Sequence, residues 1–171
     1  MFFFILIFVV YNIERGIFMQ ICKIRPDGLR EALDLVWEVF ERYEAPEYEE
    51  MGIKTFRHFI TYSNMVEKVN QGEMNFWGCY LNNYLVGVIA LRTGQHISLL
   101  FVREKFHRLG IAKKLVRVAV DYVKSQNPDI RAVTVNSSPY AVEVYRKLGF
   151  SPLGAEQKAD GIRFTSMRLD F

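Results

Sequence analysis

The segment ISLLFVREKFHRLGIAKKL, residues 97–115, holds the residue types that could bind a phosphate group. An apolar run leads into a loop with Gly110 and the small Ala112, and a helical pattern then begins with Lys113 and Lys114 in its first turn. The start of a helix offers unpaired N–H groups, and small residues let the backbone approach phosphate oxygens. Lysines are unfavourable at this end of a helix, because it is the positive end of the helix dipole. Their presence here indicates an anionic ligand. The segment therefore predicts a phosphate-binding loop.

Other nucleotide-binding loops can be compared with this one by their glycines. The sequence has neither GxxxxGK(S/T) nor GxGxxG, so it lacks the glycines of an NTPase P-loop and of a dinucleotide-binding fold. An ordinary chain reversal between a strand and a helix has the same outline and stays open as the alternative.

Two motifs, in this order along the chain, resemble those of the GNAT superfamily of N-acetyltransferases. Residues 107–112, HRLGIA, are similar to the acyl-CoA loop (Q/R)-x-x-G-x-(G/A) from Gly110 onward, with His107 at the usual Gln or Arg position. Residues 138–150, SPYAVEVYRKLGF, resemble N-x-x-A-x-x-x-Y-x-K-x-G-F with Ser138 in place of Asn. The resemblance runs from about residue 20 to the end. It implies a GNAT-like α/β fold, with a mixed, mostly antiparallel central sheet that is flanked by helices and splayed at the acyl-CoA site.

The resemblance also implies acetyl-CoA as a co-substrate and no metal. One strand is expected to bind the pantetheine arm through its backbone, and the loop amides are expected to bind the pyrophosphate. The Ser138 hydroxyl would reach the pantetheine, although a plain helix cap is its alternative role. The residues expected to bind acetyl-CoA are Leu100, Phe101, Val102, Arg108, Leu109, Gly110, Ile111, Ala112, Lys113, Asn136 and Ser138.

Acyl transfer from a thioester to an amine needs a neutral amine, a bound oxyanion and a proton for the leaving thiolate. Tyr145 stands where the family places its general acid, and a phenol stays protonated at neutral pH. Without the resemblance, Tyr145 would be assigned to the core. A backbone N–H near Phe101 or Val102 would meet the oxyanion. His96 is the best single candidate for the base, because its ordinary pKa suits deprotonation of an ammonium near pH 7. A carboxylate acting through water and a reaction with no dedicated base are the alternatives.

The segment RYEAPEYEEMG, residues 42–52, is predicted to form the mouth of the acceptor pocket. In the family this pocket lies between the first two helices and the final hairpin. Carboxylates attract a cationic amine over distance, and aromatic rings hold it by cation–π contact. The expected substrate-binding residues are Tyr43, Glu44, Glu47 and Tyr48. A solvated acidic loop is the alternative.

Six strands and four helices are expected to position these residues. Alternating or β-branched runs predict strands, and apolar residues at intervals of three and four predict helices. An Asn82–Asn83 turn joins the second and third strands as a hairpin. The predicted strands are 20–25, 75–81, 84–92, 96–102, 131–136 and 162–169, and the helices are 29–45, about 52–70, 110–126 and 138–149.

Composition limits the class of protein. A chain of 171 residues, half of them hydrophobic, fits one domain with a full core. The net charge is only +3 and no long Lys/Arg run is present, so nucleic acid is not an expected partner. Cys22 and Cys79 lack the spacing of a zinc site or a disulfide framework, which suits a cytoplasmic protein.

The first ten residues, MFFFILIFVV, are the one segment that could direct the chain to a membrane. They are too short to span a bilayer, which takes about 20 helical residues, and no basic n-region or cleavage site precedes Met19. Residues 1–18 are therefore predicted to be an extension from a misplaced start codon, followed by an acyltransferase domain at 19–171. An interfacial anchor is the alternative, although a membrane partner is not expected.

The predicted function is transfer of an acetyl group from acetyl-CoA to a primary amine of a small molecule or peptide by direct attack. Two alternative functions are also compatible with the sequence. A protein with this fold could bind acyl-CoA as a catalytically silent sensor, and residues 1–18 could hold the enzyme at a membrane. A homodimer is also compatible with the sequence.

Overall fold

A computed structural model of the chain describes residues 8–12 and 16–171. Within these residues, one continuous β-sheet is flanked by five α-helices. Short 3-10 turns precede several of the helices. The strands are β1 (Phe8–Asn12), β2 (Ile17–Ile24), β3 (Met74–Leu81), β4 (Tyr84–Arg92), β5 (His96–Val102), β6 (Ala132–Ser137), β7 (Ser151–Pro152), β8 (Gln157–Ala159) and β9 (Ile162–Asp170). The helices are α1 (Leu29–Tyr43), α2 (Glu50–Phe59), α3 (Tyr62–Asn70), α4 (Ile111–Gln126) and α5 (Val142–Lys147).

The sheet is mixed and mostly antiparallel, as predicted. Its strand order is β1-β2-β3-β4-β5-β6-β9-β7, and β8 pairs with β9. Every pairing is antiparallel except that of β5 with β6, which α4 connects as a crossover. The β3–β4 hairpin turns at Asn82 and Asn83, whose positive φ angles of 48° and 66° are those that asparagine tolerates in tight hairpin turns.

The central pair of strands separates soon after it forms. β5 and β6 are in register only at His96↔Thr134 and Ile97↔Val135. On its other edge β5 stays paired with β4 as far as Val102. The rest of β5, from Ser98 onward, therefore has no partner strand on its β6 side, and this is the splay that the fold class predicts.

Alternation along the central strands supplies both faces of the sheet with apolar side chains. Val88 and Ala90 of β4 pack with α1, whereas Ile89 and Leu91 pack with α4. Successive strand residues point to opposite faces, so one strand serves two cores. The α1–α3 helices cover one face, and α4 covers the other.

The predicted second helix is two helices. α2 ends at Phe59 and α3 begins at Tyr62, because Thr61 is extended, with φ −60° and ψ 143°. The Asn64 side chain donates to the Phe59 carbonyl at 2.7 Å and so binds a free carbonyl at the end of α2. The prediction missed this break because the apolar spacing continues through it.

The sheet extends further toward the N-terminus than the sequence predicts. The opening strand was expected at residues 20–25, but β2 begins at Ile17, and β1 lies beside it with Val10 opposite Met19. β1 falls within the predicted extension of residues 1–18, whose residues 1–7 and 13–15 lie outside the described part of the chain. In that described part, no helix combines the length and apolar character needed to cross a bilayer.

The last predicted helix is also shorter than expected. Residues 139–141 form a 3-10 turn, and α5 then runs only to Lys147, with Gly149 at a positive φ of 97° as its stop. Ser138 stands at the start of this turn, but its hydroxyl makes no capping hydrogen bond. The hydroxyl is therefore available for another role.

Candidate functional site

The loop before α4 has the backbone of an anion-binding site. Arg108 and Gly110 adopt left-handed conformations, with φ of 63° and 75°, and this turns the chain into the helix. The first turn of α4 holds no acidic residue, and its start has no side-chain cap. The amides at such a helix start have no partner in the helix, so they are free to bind phosphate oxygens.

His107 fastens this loop to the end of β5. Its Nε2 lies 2.7 Å from the Val102 carbonyl oxygen. The residue therefore has a structural contact at the motif position where the family usually has Gln or Arg. All six predicted loop residues, 108–113, lie together around this turn, whereas Leu100, Phe101 and Val102 line up along the free part of β5.

A cavity of about 440 Å³ opens where β5 and β6 separate. Leu100, Phe101 and Asn136 line it, as do Ser138 and Tyr145. The Asn136 side-chain oxygen accepts a hydrogen bond from Ser166 at 2.9 Å, so this part of the amide is already engaged with β9. Predicted cofactor residues from three elements thus meet at one cavity.

Tyr145 and Glu44 both line this cavity. Tyr145 is only 6% exposed, and its ring packs edge-on against Phe150 at 5.2 Å between ring centroids. Burial, and then the charge of Glu44, raises the pKa of the Tyr145 hydroxyl above its ordinary value. The phenol therefore stays protonated at any physiological pH.

Glu44 contributes a carboxylate to the wall of the cavity. Burial raises its pKa to about 7, and the neighbouring Ser138 hydroxyl acts in the opposite direction. Ser138 is itself buried, and its hydroxyl has no hydrogen bond of normal geometry in the described part of the chain. Glu44 likewise has no ion pair with any described residue. Apart from their mutual proximity, the two side chains thus keep donor and acceptor capacity for a ligand in the cavity.

His96 lines the same cavity from the start of β5. Its Nδ1 lies 2.9 Å from the Thr134 hydroxyl, across the last paired part of β5 and β6. Burial, and then the charge of Arg92, lowers the pKa of His96 to about 4. The imidazole is therefore neutral at pH 7, but it is a weak base.

The structure divides the acidic segment that was expected to form the mouth. Glu44 and Tyr48 line the cavity, but Tyr43 stacks on Tyr140 at 5.3 Å between ring centroids. Glu47 lies 4.0 Å from Arg163, which is also bound by Glu156. Most of the negative charge in this segment is thus neutralised by the protein, and Glu44 is the exception.

The β8–β9 hairpin closes one wall of the cavity against α2. A Cβ atom on Gly52 would lie 2.2 Å from the Gly161 carbonyl oxygen, so the two backbones touch here. Thr55 donates to the Asp160 carbonyl at 3.2 Å, and Tyr48 donates to the Arg163 carbonyl at 3.2 Å. These contacts hold the hairpin over the space between α2 and β5.

Several lining residues were not predicted from the sequence. Phe56 and Phe59 fall within the predicted second helix, and both line the cavity, as does Phe164 of β9. Arg92 and Asp160 also line it, and nothing in their sequence context indicates this. In the described residues, no three His, Cys, Asp or Glu side chains come together as metal ligands would.

Comparisons with known proteins agree with this geometry. Residues 44–171 match the model of the acetyltransferase (GNAT) domain family. No curated protein matches the chain at a significant level.

Solved structures share the fold at low sequence identity. PaiA N-acetyltransferase from Thermoplasma acidophilum, in complex with coenzyme A, has 19% identity and a TM-score of 0.73 over 90% of this chain and 99% of its own. A GCN5-related N-acetyltransferase from Rhodopseudomonas palustris has 16% identity and a TM-score of 0.74 over 88% and 94%. A chimera of the Vibrio cholerae spermidine N-acetyltransferase SpeG and hSSAT has 13% identity and a TM-score of 0.60 over 89% and 95%.

The splayed sheet, the phosphate-type loop and the family model point to the same conclusion. The model begins at Glu44 and covers most of the chain, including every cofactor residue expected from the sequence. The chain belongs to the GNAT family of acetyltransferases.

Proposed function

We propose that the protein transfers the acetyl group of acetyl-CoA to a primary amine by direct attack. The observation that carries this proposal is the meeting of Glu44, Ser138 and Tyr145 in the cavity where β5 and β6 separate. Acetyl-CoA and the amine would approach this point from the two ends of the splayed strands.

The cofactor would bind along two features that are already formed. The amides of residues 108–113 would hold the pyrophosphate at the start of α4. The free edge of β5 would pair with the amide groups of the pantetheine arm as a partner strand would, through Leu100, Phe101 and Val102. The coenzyme A in the T. acidophilum relative supports this assignment.

The base would be Glu44 in preference to His96. An alkylammonium must lose a proton before its nitrogen can attack, and a base with a pKa near the working pH does this best. Glu44, with a pKa of about 7, meets that condition, whereas His96, at about 4, holds a proton much less strongly. His96 would then be a neutral wall residue beside the acceptor.

The acid would be Tyr145. Glu44 first takes one proton from the ammonium group. As the amine nitrogen then bonds to the thioester carbonyl carbon, the carbon–sulfur bond breaks, Tyr145 protonates the departing sulfur, and the second proton of the nitrogen passes to the Tyr145 oxygen. The products are the N-acetyl amide, the free thiol and a protonated Glu44, which gives its proton to solvent. Protonation of Glu44 also removes the negative charge that helps to raise the Tyr145 pKa, which makes Tyr145 a better donor at the moment it is needed. A backbone N–H near Phe101 or Val102 would bind the oxyanion.

The test is acetyl-CoA-dependent release of free thiol with a panel of primary amines and peptides, confirmed by mass of the acetylated product. Glu44→Gln should lower kcat/KM by at least about 100-fold and abolish its rise with pH near 7. Glu41→Gln, an exposed residue of the same helix, is the matched control and should leave the profile unchanged.

Two results would contradict the proposal. Binding of acetyl-CoA without turnover of any amine would favour a catalytically silent sensor. Retention of the pH profile in a folded Glu44→Gln variant would remove Glu44 as the base and return that role to His96 or water.

A further inference from the structure

Arg92 is an unpaired cation in the wall of the acceptor cavity. It is the last residue of β4 and lies opposite His96 in the β4–β5 register. Among the described residues its guanidinium has no ion pair, hydrogen bond or ring contact. Arg163, the other arginine near this cavity, is instead bound by Glu156 at 2.8 Å. Arg92 is exposed, so water solvates its N–H donors, and an anionic group of a ligand in the cavity can take the place of that water.

Two parts of the cavity wall differ in charge. Glu44 lies near Ser138 and Tyr145, whereas Arg92 lies opposite His96 at the start of β5. His96 pairs with Thr134, which precedes Ser138 along the chain, so the two charges line different parts of the cavity. Phe56, Phe59 and Phe164 add aromatic surface to the same wall. A ligand that satisfies the whole cavity would carry a cation at one end, an apolar chain in the middle and an anion at the other end.

We infer that the acceptor is a small amine with a carboxylate at its far end, and that Arg92 selects it by pairing with this carboxylate. The inference rests on the proposed function, because it takes Glu44 as the partner of the reacting amine. Guanidinium binds carboxylate through two parallel N–H···O bonds, a geometry that a second ammonium cannot use and that like charge opposes. Arg92 thus determines specificity and takes no part in proton transfer.

Asp160 is the one other carboxylate that lines the cavity in the described chain. It is exposed at the turn of the β8–β9 hairpin. If Asp160 rather than Arg92 held the far end of the acceptor, the substrate would be a diamine. The two possibilities predict opposite preferences between acceptors of one length.

The experiment compares ε-aminohexanoate, hexylamine and hexamethylenediamine, which differ only in the group at the far end. We expect kcat/KM for ε-aminohexanoate to exceed that for hexylamine by about tenfold or more, as for a charge-assisted pair. Arg92→Gln should remove this preference, so that the ratio of kcat/KM between ε-aminohexanoate and hexylamine falls to about one, and Arg92→Glu should turn the preference toward the diamine. Asp160→Asn should leave the order of the three amines unchanged.

Equal kcat/KM for ε-aminohexanoate and hexylamine in the wild-type protein would overturn the inference. A preference for the diamine that Asp160→Asn removes would also overturn it. Calorimetry of ε-aminohexanoate binding to the wild-type and Arg92→Gln proteins distinguishes failure of this inference from failure of the proposed function. If no amine is acetylated, Arg92-dependent binding of ε-aminohexanoate still supports the specificity assignment, and its absence contradicts it.

Discussion

Tyr145 and Glu44 come from parts of the chain that are about a hundred residues apart, and both line the same cavity. Glu44 follows directly after α1, and Tyr145 lies in α5. The negative charge of Glu44 raises the Tyr145 pKa, and the shared burial raises both. A site of this kind costs stability, because a carboxylate is held where its charge is poorly solvated.

The Tyr145→Phe variant tests the acid. It removes one hydroxyl and keeps the ring that packs against Phe150, so the fold and the affinity for acetyl-CoA should change little. General acid catalysis is worth about 10²- to 10⁴-fold, and kcat should fall by at least the lower figure where chemistry limits the rate. Stopped-flow or single-turnover kinetics, with thermal melting as the control, measures this. Full turnover in a stable variant would show that Tyr145 is not the general acid and is a core residue only.

The cost of burying Glu44 should appear in the pH dependence of stability. Its folded pKa, about 7, is above the ordinary value of 4.5, so its contribution is most favourable below pH 4.5 and is lost as pH rises through 7. Glu44→Gln, which carries no charge, should therefore melt at a higher temperature than wild type at pH 8, and the gain should shrink toward pH 4.5. Melting curves of both proteins at matched pH measure the difference. An equal shift at both pH values would show that ionisation is not its cause.

The positions of the proposed cofactor loop and of Tyr145 could be predicted from the sequence, because each lies in a short motif with fixed spacing, and their roles stay predictions. The properties of Glu44 could not. Four glutamates lie close together at residues 44–50, and the sequence does not distinguish them. The distinction arises in the fold, where Arg163, Lys158 and Lys54 pair with Glu47, Glu49 and Glu50. The place of Arg92 in the cavity wall was not predicted either, because it also arises only in the fold.

At the scale of elements, two loops determine what the cavity can bind. The loop before α4 is the proposed cofactor loop, and the contact between α2 and the β8–β9 hairpin forms one wall of the proposed acceptor cavity. Each depends on glycine at a place where a side chain would change the backbone or strike a neighbour. Each can therefore be altered by one substitution without changing the catalytic cluster.

Gly110→Glu should abolish acetyl-CoA binding while the protein stays folded. The variant places a negative charge where phosphates are expected, and it puts a side chain on a residue at φ 75°. Gly110→Ala separates these two effects, because the nearest neighbour of a new Cβ is Lys114 Nζ at 3.9 Å and only backbone strain remains. Calorimetry should show loss of binding in the Glu variant and a smaller loss in the Ala variant. Equal affinity in all three proteins would remove the loop from the cofactor site.

Gly52→Ala should damage the acceptor side selectively. Its new Cβ would overlap the Gly161 carbonyl, so the hairpin must move, at a cost of about 1–3 kcal/mol in stability. KM for the amine should rise while affinity for acetyl-CoA is kept. Gly154→Ala is the matched control, because a Cβ there meets no atom within 4 Å. An unchanged amine KM in Gly52→Ala would show that the hairpin does not shape the acceptor wall.

Most helices and strands could be predicted, because their apolar spacing follows their burial. α1, α4, the β3–β4 hairpin and β5 have nearly the predicted bounds. The break at Thr61 and the shortness of α5 were missed, since both are set by single backbone conformations within a continuous apolar pattern. The contact of Gly52 with Gly161 has no local signal in either segment.

At the scale of the whole molecule, the position of β1 bears on where the domain begins. β1 pairs with β2 at the edge of the sheet farthest from the cavity. The pairing of β2 with β3 starts at Met19↔Leu81, so every residue pair between them lies within residues 19–171. We therefore still propose that the domain begins at Met19.

Deletion of residues 1–18 should leave acetyl-CoA binding and turnover intact. The variant loses β1 and the two hydrogen bonds of Phe18 with Asn82, so its melting temperature should fall modestly. Calorimetry and thermal melting of full-length and shortened protein check this, and sedimentation with vesicles shows whether residues 1–18 hold the protein at a membrane. An insoluble or unfolded shortened protein would mean that β1 belongs to the domain.

The two-pair junction between β5 and β6 divides the sheet at a point that also divides the chain. All strands on one side of it come from residues 8–102, and all strands on the other come from residues 132–170, with α4 and a short loop between them. Glu44 belongs to the first part, and Ser138 and Tyr145 belong to the second. The protein is thus a natural candidate for splitting at residues 127–130 into two fragments, neither of which holds a complete catalytic cluster. Acetyl-CoA would contact residues on both sides of the junction, so we expect it to stabilise the association of the two fragments.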